Sequence, residues 1–501
     1  MGGAGRGAGA GAGQAAMPLL EAALEYAASR PVRLHVPGHK GGPGLPPAMR
    51  RALGARAAAL DATEVAGLDD LHLPSGPIAR AQELAAAAFG ADRTFFLVNG
   101  STCGVLAMIG ATCGPGDDIV MPRHAHPSAV AGCILAGARP VWVPVAADGA
   151  TGVPLGPAPE AVRAALAGCR RPAAVLVVHP NYYGVAADVA AVVAAARGFG
   201  AAVLADEAHG AHFAFHPALP PAALAAGADA SVQGLHKTGG ALTGAAMLHL
   251  RGERVDARRL AAFLKLVETA SPSYLLLCSL DAARAHLHAA GPAAIERCLV
   301  LAGRARRDIE GTGRFSCPGR ELAAMPGTAG HDPTRLVVHA RGVPGAAPGL
   351  AARLRSRLGV EVEMAAGSNI VAVLTWGDRP AGLRRLVRGL RAAGAGGWVT
   401  SNESHAAAER AALDLMSSVP EQVLPPRDAV YAPWREVALE KAVGATSAEL
   451  AAVHPPGFLV LIPGERIGER LVAALAAMRR GGARFQGAAD PLLATVRVVA
   501  S

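Results

Sequence analysis

The chain has 501 residues, of which 51% are apolar and only 4% are aromatic. Because a single hydrophobic core stops growing at roughly 250 to 300 residues, we expect two or three folded units. The formal net charge of +9 is spread along the chain without a long run of basic residues, so the composition argues against a nucleic-acid-binding protein.

The N-terminal segment and the cysteines bear on the compartment. Residues 1–16 are Gly- and Ala-rich without the continuous apolar run of a signal peptide, so we expect a disordered tail, with Met17 as a candidate start. The seven cysteines include no CxxC pair, and their odd number disfavours a disulfide framework. Gly, Pro, Arg or Asp interrupts every long apolar stretch, which disfavours a membrane span. We therefore expect a cytoplasmic protein.

From about residue 90 to 250, short β-rich runs alternate with Ala-rich helical stretches. This pattern predicts βαβ units and an α/β fold whose sheet is covered by helices on both faces. A helical stretch follows at about 255–310, with a break at 269–274, and a smaller mixed domain begins near residue 316. The predicted strands of the sheet are 95–98, 119–122, 140–145, 173–179, 201–205, 229–233 and 244–249.

Three kinds of reactive or binding group follow predicted strands, and in such sheets ligands bind beyond the carboxyl ends of the strands. Lys237 offers an amine that can form an imine with a carbonyl carbon. Asp206 ends an apolar strand, where an unpaired carboxylate is costly to bury. Gly100, Ser101 and Thr102 join a strand to a helix, where N–H groups and hydroxyls bind phosphate. An amine, a buried carboxylate and a phosphate cradle are what pyridoxal phosphate (PLP) requires, so we predict that cofactor.

Each of these groups also has a plainer interpretation, as a surface lysine or as an ordinary helix N-cap. The histidines at 126, 209 and 212 also have both a functional and a structural interpretation. His126 follows another strand end and could stack on a cofactor ring, transfer protons or be structural. His209 and His212 form a His-x-x-His pair, but no third ligand is spaced to match, so we expect no metal site.

Nine segments in a fixed order carry a family resemblance: HVPGHKGG (35–42), GLDDLHLPSG (67–76), FFLVNGSTCG (95–104), RHAHPS (123–128), NYYGV (181–185), DEAHGAH (206–212), QGLHK (233–237), TASPSYLLLCSLDAAR (269–284) and HPPGFLVLIPGE (454–465). With them the chain resembles the PLP-dependent Orn/Lys/Arg decarboxylases, in their shorter bacterial type without the receiver-like N-terminal wing domain. The resemblance covers about nine-tenths of the sequence.

The resemblance implies an aspartate-aminotransferase-like fold (PLP fold type I). Its large domain has a mixed, mostly parallel seven-stranded sheet between helices, and a smaller α/β domain follows. An obligate homodimer is also implied, in which residues 269–274 approach the phosphate of the neighbouring subunit. We expect a disordered tail at 1–16, a segment contributing to the active site and the dimer at 17–75, the large domain at 76–315 and the small domain at 316–501.

The resemblance also assigns roles. It makes Lys237 the Schiff-base lysine, pairs Asp206 with the pyridine nitrogen and stacks His126 on the ring; these three are the expected catalytic residues. The remaining expected cofactor contacts are Gly100, Ser101, Thr102, His209 and His236. Glu465, and Asp69 or Asp70, are candidates by family position for the far end of a basic substrate.

The implied activity is decarboxylation of a basic amino acid (lysine, arginine or ornithine) to the amine and CO2, as in polyamine biosynthesis. Two departures leave alternatives open. Gly234 stands where the family's QSTHK motif has a serine hydroxyl, and HPPGFL (454–459) replaces YPPGIP. Another PLP-dependent reaction (transamination, elimination or oxidase-like) and a noncatalytic PLP-binding paralogue therefore remain possible.

Overall fold

The computed structural model describes residues 13–395, 399–454 and 457–500. Its α-helices are α1 Pro18–Ala28, α2 Pro47–Leu53, α3 Ala55–Leu60, α4 Pro77–Phe89, α5 Gly100–Thr112, α6 Pro127–Ala136, α7 Pro159–Ala167, α8 Val189–Arg197, α9 Leu235–Thr238, α10 Ala257–Val267, α11 Tyr274–Glu310, α12 Ala347–Leu358, α13 Pro380–Ala395, α14 Glu403–Met416, α15 Pro426–Tyr431 and α16 Glu469–Arg480. No helix in these ranges has the length and apolarity that crossing a membrane requires.

The strands confirm the alternating pattern read from the sequence. They are β1 Arg93–Leu97, β2 Asp118–Pro122, β3 Arg139–Val143, β4 Pro172–Val178, β5 Val185–Ala187, β6 Ala202–Asp206, β7 Ala230–Gln233, β8 Ala246–Leu250, β9 Phe315–Ser316, β10 Thr328–His331, β11 Arg335–Ala340, β12 Met364–Ala366, β13 Asn369–Val373, β14 Trp434–Ala438, β15 Ala451–His454, β16 Phe458–Leu461, β17 Arg484–Gln486 and β18 Thr495–Val499.

The seven predicted strands form one mixed sheet in the order β1-β8-β7-β6-β4-β2-β3. Strand β2 pairs in parallel with β3 and β4, whereas β8 runs antiparallel to β1 and β7. Strands β2, β6, β7 and β8 are buried along their whole length, as expected for a sheet covered on both faces.

The chain divides into two compact units. The first unit comprises the described residues up to 111 together with 205–217 and 221–293, and the second comprises 112–204, 218–220 and the described residues from 294 onward. The domain boundaries expected from the sequence differ from this division and stay a prediction.

Helix α5 belongs to the first unit and is buried on nearly every side because its residues are small and apolar. At Gly104 a Cβ atom would lie 2.5 Å from a Val232 methyl group, so glycine allows the helix to pack directly on β7. This packing fixes the start of α5 beside the sheet edge where β7 ends.

Residues 14 and 16, within the expected N-terminal tail, contact other parts of the first unit. Residues 1–12 of the predicted tail lie outside the described residues. The Gln14 side chain is 6% exposed and donates a hydrogen bond to the Leu84 carbonyl. The carbonyl oxygens of Gln14 and Ala16 accept hydrogen bonds from the buried guanidinium of Arg284. The buried Arg284 guanidinium requires hydrogen-bond acceptors, and this requirement keeps residues 13–16 in place. The composition of the segment gives no sign of such a contact.

The second unit contains smaller sheets. An antiparallel sheet has the order β12-β13-β11-β9, a three-stranded sheet has the order β16-β15-β17, and β14 pairs with β18. Buried side chains on helices α12 and α13 pack in one core with β11 and β13, and α16 packs in a second core with β15 and β16. The mixed pattern expected after residue 316 is therefore confirmed.

Candidate active site

Lys237 lies in α9, the short helix that begins two residues after β7 ends. Its Nζ lies 3.0 Å from Nε2 of His209, which is 7% exposed. Both residues belong to the first unit. The structure therefore brings together two of the predicted site residues, with an amine held against a buried imidazole.

The segments that carry Asp206 and Lys237 are joined through backbone hydrogen bonds. Asp206 ends β6 and is 7% exposed. The next residue, Glu207, donates its N–H to the Val232 carbonyl, and Gly234 donates its N–H to the Ala208 carbonyl. The carboxylate thus emerges at the edge of the sheet from which α9 starts, as the sequence predicts for two neighbouring strand ends.

The predicted phosphate cradle is the N-terminus of α5, a 13-residue helix. Gly100 has φ +74°, a conformation that favours glycine, and donates its N–H to the Gly244 carbonyl at 2.8 Å. Ser101 is partly buried and Thr102 is exposed. The helix start therefore combines backbone N–H groups, hydroxyls and the positive end of a helix dipole.

His236 connects this cradle to the lysine helix. Its backbone N–H and its ring Nδ1 both donate to the Ala245 carbonyl, at 3.3 and 3.0 Å. Ala245 follows Gly244, the residue that accepts from Gly100. The two segments predicted to hold the cofactor are therefore adjacent, although a contact between His236 and phosphate stays a prediction.

These residues fit PLP. Lys237 supplies the amine, Asp206 the buried carboxylate and the start of α5 the anion cradle, which together form the donor set this cofactor needs. A further sign is the buried hydroxyl of Thr238, whose Oγ1 has no hydrogen-bond partner among the described residues. Buried polar atoms are nearly always paired, so an absent partner there is consistent with a bound polar group.

Gly234, where the family has serine, leaves no room for a side chain. A Cβ atom at this position would lie 2.9 Å from the Ala208 carbonyl oxygen, which also accepts the Gly234 N–H at 3.2 Å. The backbone of the turn after Asp206 therefore occupies the space that a side chain at position 234 would need. Whatever replaces the serine hydroxyl must come from elsewhere in the cradle.

Glu207 is a site residue that the sequence reading missed. Its carboxylate accepts hydrogen bonds from Ser231 Oγ at 2.6 Å, Gln233 Nε2 at 2.9 Å and the Ala223 N–H at 3.0 Å. Burial raises the pKa of Glu207 to about 7, against these three hydrogen bonds, which favour the charged form. Glu207 therefore holds the end of β7, just before α9. The sequence feature that could have indicated its role is the pair of consecutive acids, Asp206 and Glu207, at the end of a buried strand.

Glu268 is a second missed residue, beside the start of α5. One carboxylate oxygen accepts hydrogen bonds from the Val98 N–H at 3.2 Å and from Cys103 Sγ at 2.8 Å. Burial raises the pKa of Glu268, which favours its neutral form.

Asp69 holds the beginning of α4. Its two carboxylate oxygens accept backbone N–H groups from Asp70, Ser75, Gly76, Ile78 and Ala79. Burial raises the pKa of the carboxyl, but the backbone hydrogen bonds outweigh it and hold the pKa below its usual value. A role in substrate binding stays a prediction, since these N–H groups already occupy the carboxylate.

His126 belongs to the second unit and caps α6. Its Nδ1 accepts the Ser128 N–H at 3.2 Å and lies 2.8 Å from the Ser128 hydroxyl. These contacts fix the ring at the N-terminus of the helix. Its expected stacking on the cofactor stays a prediction.

Glu465, also in the second unit, is paired with Arg123. Its two oxygens lie 2.5 and 2.8 Å from the two terminal guanidinium nitrogens. Burial raises the pKa of Glu465, and the Arg123 charge opposes that shift. A substrate role for Glu465 stays a prediction and would require a competitor for Arg123.

Comparison with known proteins gives full-length relatives. The chain is 37% identical over 483 residues to an arginine decarboxylase of Halalkalibacterium halodurans, covering 96% of this chain and 97% of the relative. It is 36% identical over 482 residues to an arginine decarboxylase of Bacillus subtilis, with the same coverage. Both alignments therefore include the whole of the site segments.

Solved structures share the fold. Lysine decarboxylase A of Pseudomonas aeruginosa superposes with a TM-score of 0.82 at 21% identity, covering 98% of this chain and 81% of that protein. Residues 17–321 match the sequence profile of the Orn/Lys/Arg decarboxylase major domain, and residues 409–492 match that of the C-terminal domain. The resemblance inferred from the motifs is confirmed, and the chain belongs to the Orn/Lys/Arg decarboxylase family.

Proposed function

We propose that this chain decarboxylates arginine, with PLP held by Lys237. The members of its family are amino acid decarboxylases, and the two full-length relatives described above are named arginine decarboxylases. The observation that carries the proposal is the 3.0 Å contact between Lys237 Nζ and His209 Nε2 at the end of β7. An amine in that place can hold an aldehyde cofactor while the imidazole shares its proton.

When bound, PLP supplies a ring that withdraws electrons from the substrate α-carbon as CO2 leaves. Asp206 would hold the pyridine nitrogen of the bound cofactor in its protonated form, because a buried carboxylate favours a cation beside it. The same pairing offsets the cost of burying Asp206 at the end of an apolar strand. These assignments agree with the adjacency of the Asp206 and Lys237 segments.

His209 and Lys237 handle protons in the proposed site. A lysine amine is reactive only when neutral, and His209 Nε2 at 3.0 Å is the acceptor for the proton it must lose. Lys237, protonated again from His209, would supply the proton that replaces the lost carboxylate on the α-carbon. His126 remains an alternative donor for that last step.

Phosphate binding is assigned to the N-terminus of α5, with Gly100, Ser101 and Thr102. The hydrogen bond from Gly100 to Gly244 keeps this terminus next to the segment that follows α9. Thr238 adds a buried hydroxyl without a partner among the described residues. We assign this hydroxyl as a candidate replacement for the serine that Gly234 lacks.

A homodimer and a cytoplasmic location are part of the proposal. The dimer follows from the family resemblance, in which residues 269–274 serve the neighbouring site. Here Thr269 accepts a hydrogen bond from His72 through its carbonyl oxygen, and Tyr274 donates one to the Asp69 carbonyl. Sedimentation analysis of the purified protein should give at least twice the monomer mass of 50.4 kDa.

The decisive experiment measures products. The purified protein, supplied with PLP, is incubated with carboxyl-labelled arginine, lysine or ornithine, and both CO2 and the amine are quantified. We expect equimolar CO2 and amine, with the highest kcat/KM for arginine. A keto acid without CO2 would assign transamination instead, and absence of any product from the PLP-loaded protein would favour a noncatalytic role.

Covalent cofactor attachment gives an independent readout. Borohydride reduction followed by peptide mass spectrometry should place a pyridoxyl group on Lys237. The Lys237→Ala variant should lose this adduct and the activity, whereas Lys265→Ala, which removes an exposed lysine on α10, should keep both. An adduct on any other lysine would overturn the assignment.

A further inference from the structure

A cavity of about 210 Å³ is lined by residues of the second unit, and its described lining includes none of the residues assigned above. It opens beside helix α14 and is bounded by the turn after β12, by strands β15 and β16, and by the end of α16. Sites that enclose drug-sized ligands measure roughly 300 to 1,000 Å³, so an occupant here must be small.

Most of the cavity wall is apolar. Leu413, Phe458 and Met478 line it together with several alanines and glycines. Met478 is 1% exposed, and Tyr183, which also lines the cavity, is 5% exposed. Such a wall favours an occupant with a hydrocarbon body rather than a cluster of waters.

Among the described residues that line the cavity, Glu409 on α14 is the only acidic one. Its carboxylate lies directly over Gly367, which has φ +54°, and a Cβ atom there would come within 2.2 Å of all three carboxyl-group atoms. The carboxylate therefore occupies the volume that any other residue at position 367 would fill. Glycine at position 367 thus leaves the space in which the Glu409 carboxylate lies against the cavity wall.

The negative charge of Glu409 is poorly compensated. Its oxygens accept only long hydrogen bonds from Ser368, at 3.3 Å from the N–H and 3.5 Å from the hydroxyl. The neighbouring Arg410 forms its ion pair with Glu403, although its charge still lowers the pKa of Glu409, and no ion pair with Glu409 itself is found in the described part of the chain. Burial raises the pKa of Glu409, and its charge adds to the burial that raises the pKa of Tyr183. A cation bound beside Glu409 would offset the cost of burying its carboxylate.

We propose that this cavity is a second ligand site, which binds a small organic cation consisting of an ammonium or guanidinium group on a hydrocarbon stem. The cationic group pairs with Glu409, and the stem packs against Leu413, Phe458 and Met478. A carboxylate on the ligand disfavours binding, because Glu409 repels it in a wall of low polarity.

This preference distinguishes a product from its substrate, a step that rests on the proposed function. Loss of CO2 converts arginine into an amine with a guanidinium group, a four-carbon stem and no carboxylate. That product has the cationic group and the hydrocarbon stem that the cavity would bind, whereas arginine also carries a carboxylate, which Glu409 would repel. The site would therefore respond to accumulated amine rather than to substrate.

The test uses the PLP-loaded full-length protein and two matched probes, n-butylguanidinium and its neutral isostere n-butylurea. Carbon-13 labelling of methionine methyl groups gives a local readout, because Met478 lines the cavity and its signal can be assigned with Met478→Leu. We expect n-butylguanidinium to shift the Met478 signal saturably. Butylurea should bind about 10-fold or more weakly, because it lacks a charge-assisted hydrogen bond.

Two variants on α14 complete the design. Glu409→Gln should weaken n-butylguanidinium binding about 10-fold or more, whereas Asp414→Asn, which changes an acid of the same helix in an exposed pair with Arg470, should leave it unchanged. Equal binding of both probes, equal affinity of wild type and Glu409→Gln, or no shift of Met478 would overturn the proposal. Because neither probe is an amino acid, these outcomes are independent of decarboxylation. A larger Met478 shift with the amine product than with arginine would support the link to the reaction, and equal shifts would overturn that link alone.

Discussion

Arg123 and Glu465 form a two-hydrogen-bond ion pair in which each side chain is 2% exposed. The guanidinium carbon also lies 5.0 Å from the centre of the Trp142 ring, within the range of a cation–π contact. Arg123 directly follows β2 and lies three residues before His126, while Glu465 lies four residues after β16. The pair therefore joins the loop that carries His126 to the C-terminal part of the same unit.

Glu465→Ala should reduce the free energy of unfolding by about 3 to 5 kcal/mol, because it leaves a buried guanidinium without a counter-charge. The Nε of Arg123 already lacks a hydrogen-bond partner among the described residues, so the arginine cannot compensate. Urea unfolding measures the loss. Glu421→Ala, which breaks a solvent-exposed pair with Arg466, is the control and should be nearly neutral.

A double replacement separates the pair from its surroundings. Arg123→Met combined with Glu465→Leu should recover most of the stability lost in Glu465→Ala, since apolar side chains of similar volume avoid the desolvation cost. If the double variant is as unstable as the single one, the loss arises from packing around Glu465 and not from the uncompensated charge.

The sheet could be predicted from the sequence because its strands are short, apolar and bounded by turn residues. Each of the seven predicted runs overlaps an observed strand of the sheet, as 173–179 does with Pro172–Val178. The sequence also predicted that polar residues at neighbouring strand ends lie close together. Asp206 ends β6 and α9 follows β7, and these two strands are adjacent in the sheet. Strand β5 was not predicted, since three residues paired with the distant β10 carry no periodic signal.

The partners of the charged side chains could not be predicted. Arg123 and Glu465 are separated by 342 positions, so no local pattern connects them, and the family position suggested a substrate role instead. Asp69 has φ +72° and folds back onto the N–H groups ahead of α4, which depends on a turn conformation that composition does not specify. Sequence patterns thus identify where acids lie along the chain, whereas tertiary contacts decide what they bind.

His209→Asn should slow the covalent attachment of PLP to Lys237 by about 100-fold or more, because it removes the acceptor 3.0 Å from the amine. The rate is measured by borohydride quenching at intervals after PLP addition to the apoprotein. His288→Asn, at an exposed position on α11, should attach PLP at the wild-type rate. Equal rates for His209→Asn and wild type would show that the contact has no part in proton transfer.

Gly234→Ser should not restore tight phosphate binding, despite returning the hydroxyl that the family motif contains. The new Cβ would lie 2.9 Å from the Ala208 carbonyl oxygen, so the turn carrying Asp206 and His209 must move. We expect a loss of about 1 to 3 kcal/mol in the free energy of unfolding and weaker PLP binding, measured by fluorescence titration. Gly234→Ala should show the same stability loss, which separates the steric effect from the hydroxyl. A serine variant that is stable and binds PLP more tightly would contradict this interpretation.

Glu207 should make the stability of the apoprotein depend on pH. Burial raises the pKa of Glu207 to about 7 in the folded chain, against an ordinary value of 4.5, so between these pH values the folded state binds the extra proton. The free energy of unfolding should therefore fall as pH rises from 4.5 to 7 and then level off, by about 3 kcal/mol at 1.4 kcal/mol per pKa unit.

The matched variant isolates that contribution. Glu207→Gln cannot titrate, so the difference in unfolding free energy between pH 5 and pH 8, measured in urea, should shift by about 2 to 4 kcal/mol relative to wild type. Glu83→Gln, at an exposed position on α4, should reproduce the wild-type difference. An equal change with pH in Glu207→Gln and in wild type would contradict the prediction. The hydrogen bonds from Ser231, Gln233 and Ala223 would then keep Glu207 ionised at every pH, and its contribution to the stability of β7 would not depend on pH.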